Sequence, residues 1–192
     1  HPASKIQLHV ANTHSIVEQL SRYELDIGLI EGEANDPELL LEPWLDDALV
    51  VFCAPHHPLA RLDDTSPALL TEQKWIVREC GSGTRALFDR VIARALPDLH
   101  IQLELEHTEA IKRAVESGLG IGCLSRLALR EAFRRGSLVE IKTPQFDLRR
   151  HFYFARHRQR HVSPAAQAFL ALCRETTSPA TGTDTLQLPF IG

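Results

Sequence analysis

The stretch Trp75-Ile76-Val77-Arg78-Glu79-Cys80-Gly81-Ser82-Gly83-Thr84-Arg85-Ala86-Leu87-Phe88 runs from a short apolar segment, through a turn with two glycines, into helical spacing. Trp75 to Val77 has the character of a buried strand. Leu87, Phe88, Val91, Ile92 and Ala95 then recur on one face of a helix that Pro97 ends. A strand passing through a tight glycine turn into a helix is the repeating step of an α/β fold.

The same alternation continues in both directions. Downstream, Ile101, Leu103 and Leu105 alternate as a strand, and Thr108 is read as the cap of a helix bearing Ile111, Ala114 and Val115 that ends near Gly118. Ile121 to Leu124 reads as a buried strand, Ser125 as the cap of a helix that stops at Gly136, and Leu138 to Ile141 as one more strand. Upstream, Lys5 to Val10 alternates apolar and polar residues, which predicts a strand with one buried face. Asn12 or Thr13 then caps a helix carrying Ile16, Val17 and Leu20, and Glu24 to Ile30 is the next strand. Leu39 to Leu45 and Ala48 to Ala54 read as two strands joined by a tight connection at Asp46-Asp47. Near the far end, His151 to Ala155 predicts a strand, and Ser163-Pro164 a cap with proline at the first helical position. Residues 176–192, rich in Thr, Pro and Gly, read as a mobile tail.

These elements predict mostly parallel sheets with helices on both faces and right-handed crossovers. The first set and the last strand and helix flank the middle set. The expected organisation is therefore a discontinuous lobe, 1–60 with 146–175, and an inserted lobe, 61–145. The chain crosses near Pro58 to Pro67 and Lys142 to Asp147, and a ligand cleft lies at the C-terminal ends of strands.

Composition bounds the function. With 44% apolar and 24% charged residues, the 192-residue chain has enough apolar side chains for a core and is not disordered. Lys and Arg number 21 against 25 Asp and Glu, a formal charge of −4, which leaves no overall electrostatic footprint for nucleic acid. The sequence contains no membrane-length apolar run and no apolar signal core at its start, so a soluble, cytoplasmic location is expected. Cys53, Cys80, Cys123 and Cys173 are too widely spaced for a C-x-x-C metal or redox site. Cys53 and Cys123 sit in apolar runs as small buried hydrophobes. Cys80, beside the glycine turn, has a stabilised, redox-active thiolate as its alternative reading.

The chemistry concentrates in the turn from Glu79 to Arg85. Gly81 and Gly83 let the backbone turn tightly, and the helix N–H groups with the Ser82 and Thr84 hydroxyls form a site suited to a carboxylate or oxyanion. Taken alone, the motif equally suits a plain cap. It is neither a phosphate-binding P-loop nor a nucleophile elbow. Thr108, at a strand end and helix start, is a second candidate hydroxyl with the same plain-cap alternative. Gly118-Leu119-Gly120-Ile121-Gly122 follows a helix instead of opening one, which suits close helix-to-strand packing over nucleotide binding. Arg149, Arg150, Arg156, Arg158 and Arg160 around Phe152 to Phe154 read as a buried strand with solvated ends. His157 and His161 lack an adjacent acidic third ligand, and no catalytic triad or carboxylate pair assembles. No catalytic residue, metal or cofactor is assigned.

Leu25 to Gly32, Cys53 to Ala60, Glu79 to Arg85, Glu109 to Lys112 and Gly118 to Arg126 together resemble the C-terminal effector-binding domain of LysR-type transcriptional regulators, in family order over roughly residues 3–174. The resemblance implies a type 2 periplasmic-binding-protein-like fold, a small-molecule effector between two lobes, and a homodimer or homotetramer. It places effector contacts at Ser82, Gly83 and Thr84 and at Thr108, and Gly81 joins them from the glycine turn. Glu31 and Gly32, at the end of the Glu24 to Ile30 strand, complete the candidate set. DNA binding is assigned to a winged helix-turn-helix outside this chain. The wording of Glu79 to Arg85 and Gly122 to Arg126 is similar to regulators of sulfur assimilation, which implies a small sulfur oxyanion or carboxylate effector. A solute-binding protein serving a transporter is the alternative of the same fold, and an enzyme the third.

Overall fold

The computed structural model describes residues 5–177 of the 192. It divides into two compact units, residues 47–150 as one and residues 1–46 with 151–192 as the other. The two passages of the chain between units thus fall at Asp46/Asp47 and Arg150/His151, where the sequence reading put them near Pro58 to Pro67 and Lys142 to Asp147.

In the discontinuous unit, helix α1 (Thr13–Ser21) is capped by Asn12, whose side chain accepts from Ser15 N–H at 3.0 Å. Strand β1 (Gly28–Glu31) runs antiparallel to β7 (Arg149–His157), with Gly28 opposite Ala155 and Glu31 opposite Phe152. Ile16, Leu20, Ile30, Leu39, Tyr153 and Ala155 form the core. Helix α6 (Pro164–Thr177) starts as its sequence predicts, with Ser163 Oγ accepting from Ala166 N–H at 3.2 Å. Of the expected mobile tail, Thr176 and Thr177 belong to α6, and 178–192 lies outside the described residues.

Lys5 to Val10 is not a strand. Ile6, Leu8 and Val10 stand exposed, because alternation describes a pleated face only where a neighbouring strand supplies the hydrogen bonds. The two strands expected on either side of Asp46-Asp47 are instead one, β2 (Leu39–Cys53). Its second half pairs antiparallel with β5 (Ile121–Ser125) and β6 (Val139–Ile141) over Leu49–Cys53, and just before that stretch Asp47, which would favour a turn in isolation, is bound by Ser125 and Arg150.

The continuous unit is built on a mixed sheet. Strand β3 (Lys74–Arg78) lies parallel to both β4 (His100–Leu105) and β5, and β2 lies antiparallel to β5. Successive residues face opposite sides. Leu49, Val51, Cys53, Trp75, Val77, Ile121 and Cys123 join one core with Leu87, Phe88 and Ile92. Val50, Phe52, Ile76 and Leu124 join the other with Ile111, Val115, Leu129 and Ala132. The first layer belongs to α3 (Gly83–Phe88), continued by a π turn over Asp89–Ala93. The second belongs to α4 (Thr108–Glu116) and α5 (Arg126–Arg135). A short helix, α2 (Pro67–Thr71), precedes β3.

The glycines after α4 serve packing. A Cβ on Gly120 would lie 2.2 Å from the Lys74 carbonyl oxygen, and one on Gly122 would meet the Phe52 ring at 2.7 Å and Val115 at 3.2 Å.

Candidate functional site

The parallel strands β4, β3 and β5 end at one edge of the sheet, and β2 comes in at the same edge, since Leu49 pairs with Ser125. The turn from Glu79 to Ser82 leaves β3 there. Gly81 takes φ +91°, which a side chain would strain, and Ser82 N–H closes the turn on the Glu79 carbonyl at 3.2 Å. Ser82 caps α3, its Oγ accepting from Thr84 N–H at 3.2 Å. Both hydroxyl residues are buried, with Ser82 2% and Thr84 3% exposed.

Arg85 anchors the turn from behind. It donates to the Arg78 carbonyl at 2.9 Å, to both Asp89 carboxylate oxygens and to Glu104. Arg85 holds the Glu104 carboxyl below the usual carboxylate range, aided by Cys80 N–H at 3.4 Å.

Sequence reading missed a buried polar cluster beside this turn. Arg150 donates through Nη1 to Thr84 Oγ1 at 3.1 Å and through Nε to Asp47 Oδ2 at 2.7 Å. Ser125 Oγ donates to Asp47 Oδ1 at 2.8 Å. Arg150 is buried instead of solvated at the end of its charge run, because Asp47 neutralises it. Asp47, read as a turn residue, is equally buried in β2. Ser125 alone was legible, as the cap of α5, and its Oγ does accept from Leu127 N–H at 3.2 Å.

Gly81, Ser82, Gly83 and Thr84 therefore come together in one turn. Thr108 belongs to the next loop along the edge, since Arg78 and Leu105 are register partners. It is not the cap of α4. His107 holds that position without a side-chain hydrogen bond, and Thr108 is the first helical residue, half-buried. Glu31 and Gly32 lie in the other unit, where Gly32 takes φ +84° and donates to the His151 carbonyl at 2.9 Å.

A separate open groove of about 660 Å³ in the continuous unit is bordered by six charged side chains that pair among themselves, Arg126 with Glu140, Lys142 with Asp63 and Arg149 with Asp147. Cys53 and Cys123 are buried as expected, which pushes their thiols up to about 11 and about 12, whereas Cys80 is exposed. His157 ends β7 and is buried, its Nδ1 accepting from Gln159 N–H at 3.2 Å. Among the described residues no group of His, Cys, Asp and Glu could hold a metal ion, and no helix is long and apolar enough to cross a membrane.

A mixed α/β sheet with helices on both faces, in a chain that passes twice between two units, defines a periplasmic-binding-protein-like domain. The chain belongs to the LysR substrate binding domain family, matching it over residues 1–178, and is the effector-binding domain of a LysR-type regulator. It is 41% identical over 179 residues to the uncharacterized HTH-type transcriptional regulator YeiE of Escherichia coli K12, covering 93% of this chain and 61% of that protein. It is 31% identical over 150 residues to the HTH-type transcriptional regulator CysL of Bacillus subtilis, covering 78% of this chain and 50% of that protein. The chain thus spans between half and two thirds of the length of these relatives. Among solved structures, the Synechocystis PCC6803 CcmR regulatory domain in complex with 2-PG is similar at 30% identity with a TM-score of 0.82, covering 94% of this chain and 86% of that one. The cofactor-binding domain of the Cbl regulator, at 23% identity and a TM-score of 0.74 over 86% of this chain and 72% of that one, shares the fold.

Proposed function

We propose that this chain is the sensing part of a cytoplasmic DNA-binding transcriptional regulator, and that it binds one small anion at the Gly81 to Thr84 turn. The effector is a sulfur oxyanion or small carboxylate. It is held by the N–H groups of the first turn of α3 and the hydroxyls of Ser82 and Thr84, with Thr108 as a further contact. The observation that carries this reading is Thr84, a buried hydroxyl in the first turn of a helix, supported from behind by a guanidinium. The likeness to a regulatory domain described in complex with 2-PG supports it.

Binding shifts a homodimer or homotetramer between two arrangements and so moves DNA-binding domains carried by the longer protein. An effector does this only through different affinities for the two states, typically about 1–3 kcal/mol. That the relatives are transcriptional regulators supports reading the chain as a binding domain instead of an enzyme. The test is calorimetry with sulfate, sulfite and small carboxylates on the wild type, Ser82→Ala and Thr84→Ala. Each substitution is expected to weaken binding about ten-fold by removing one hydrogen bond to a charged group, with cooperative unfolding retained. Equal affinity in all three proteins removes the site.

A further inference from the structure

Four buried side chains link the first turn of α3 to the first turn of α5. Leu127 N–H donates to Ser125 Oγ, Ser125 Oγ to Asp47, Arg150 to Asp47, and Arg150 to Thr84 Oγ1. A guanidinium only donates and a carboxylate only accepts, so chemistry fixes the direction of three of these bonds, Ser125 to Asp47, Arg150 to Asp47 and Arg150 to Thr84. Asp47 and Arg150 are also the first and last residues of the continuous unit. Replacing a buried ion pair by a well-packed apolar pair is often neutral or stabilising, and this pair is bonded directly to a hydroxyl of the turn.

We infer that Asp47, Arg150 and Ser125 are positioning residues for the anion. Ser125 and Asp47 orient the guanidinium, and the guanidinium fixes Thr84 Oγ1 as an acceptor on its Arg150 side, which sets how Thr84 is presented in the turn. Side chains that never touch the anion thereby set its affinity, and occupancy is felt where the chain comes into the unit and goes out of it. This deepens the anion reading of the α3 turn and rests on it.

The test combines affinity with a spectroscopic signature. Sulfate, sulfite and phosphate are titrated into the folded chain, Ser82→Ala and Ser125→Ala. The Arg150 Nε–Hε resonance, assigned by its loss in Arg150→Lys, is followed at saturating anion. At least one anion is expected to bind and Ser82→Ala to weaken it. Ser125→Ala, with Asp47 and Arg150 between it and Thr84, is expected to weaken it about three-fold or more, as coupling through a packed polar network does. The resonance is expected to move on saturation. A purely structural role would leave that resonance in place, so a stationary Arg150 Nε overturns the inference even if Ser125→Ala binds less well. Wild-type affinity in Ser125→Ala, with Ser82→Ala impaired, overturns the inference while the anion site stands. No binding of any of the three, or wild-type affinity in Ser82→Ala, overturns the anion reading and the positioning role with it. Should Ser125→Ala not fold, the wild-type resonance decides alone.

Discussion

Arg150 Nε donates to Asp47 Oδ2 at 2.7 Å across 103 positions of sequence, with both side chains closed off from solvent. Removing one member of such a pair leaves a buried charge uncompensated. Arg150→Met is therefore expected to lower stability by about 3–5 kcal/mol in urea denaturation. The double substitution Arg150→Met with Asp47→Leu is expected to recover most of that loss. A single variant within about 1 kcal/mol of wild type would show that water reaches the pair.

Gly120 and Gly136 separate steric need from conformational need. A Cβ at Gly120 would sit 2.2 Å from the Lys74 carbonyl oxygen, so Gly120→Ala forces backbone apart and is expected to cost about 1–3 kcal/mol or more. Gly136, in the left-handed conformation after α5 with nothing within 4 Å of a Cβ, is expected to lose only about 1–2 kcal/mol as alanine. Thermal melts of the two variants check the order, and a Gly136 loss exceeding the Gly120 loss contradicts it.

Thiol reactivity follows burial. Cys80 is exposed and is expected to be alkylated in the native protein at pH 8, while Cys53 and Cys123, at about 11 and about 12, stay protected until unfolding. Because their folded values lie above the ordinary thiol value near 9, their contribution to stability is complete below pH 9. It is lost as pH rises toward the folded values. Intact mass after a short iodoacetamide pulse reads the first point, and denaturation between pH 8 and 10.5 the second.

Glu104 supplies the opposite sign. Arg85 lowers its carboxyl below the ordinary value of 4.5, so its stabilising effect is present above that pH and fades as pH falls through the folded value. Glu104→Gln is expected to reduce stability near pH 7 modestly, since the carboxylate is 43% exposed and screened, and to flatten the acid limb of the stability profile. An unchanged acid limb would mean that the pair with Arg85 does not persist in solution.

Legibility in the sequence tracked locality. The cap at Ser82, the proline-started α6, the left-handed stop at Gly136 and the buried β5 each rest on neighbours within a few positions, and each was readable. Lys5 to Val10 misled because alternation is a local pattern, whereas a strand needs a partner. Asp46-Asp47 misled because turn preference is local, whereas Asp47 is held within β2 by Ser125 and Arg150, far along the chain. Arg150 was hidden for the same reason. Its burial depends on Asp47 and Thr84, which no spacing rule connects to it. The glycines and hydroxyls of the turn were therefore visible, and the charged pair bonded to Thr84 was not.

The most direct measurement is native mass spectrometry of the purified chain at low micromolar concentration with sulfate, sulfite and a small-carboxylate panel. The expected result is an oligomer of this chain retaining one small anion per chain, lost in Ser82→Ala. A folded chain that retains no anion from the panel, or that retains it equally in Ser82→Ala, would contradict the assignment of the Gly81 to Thr84 turn as the effector site.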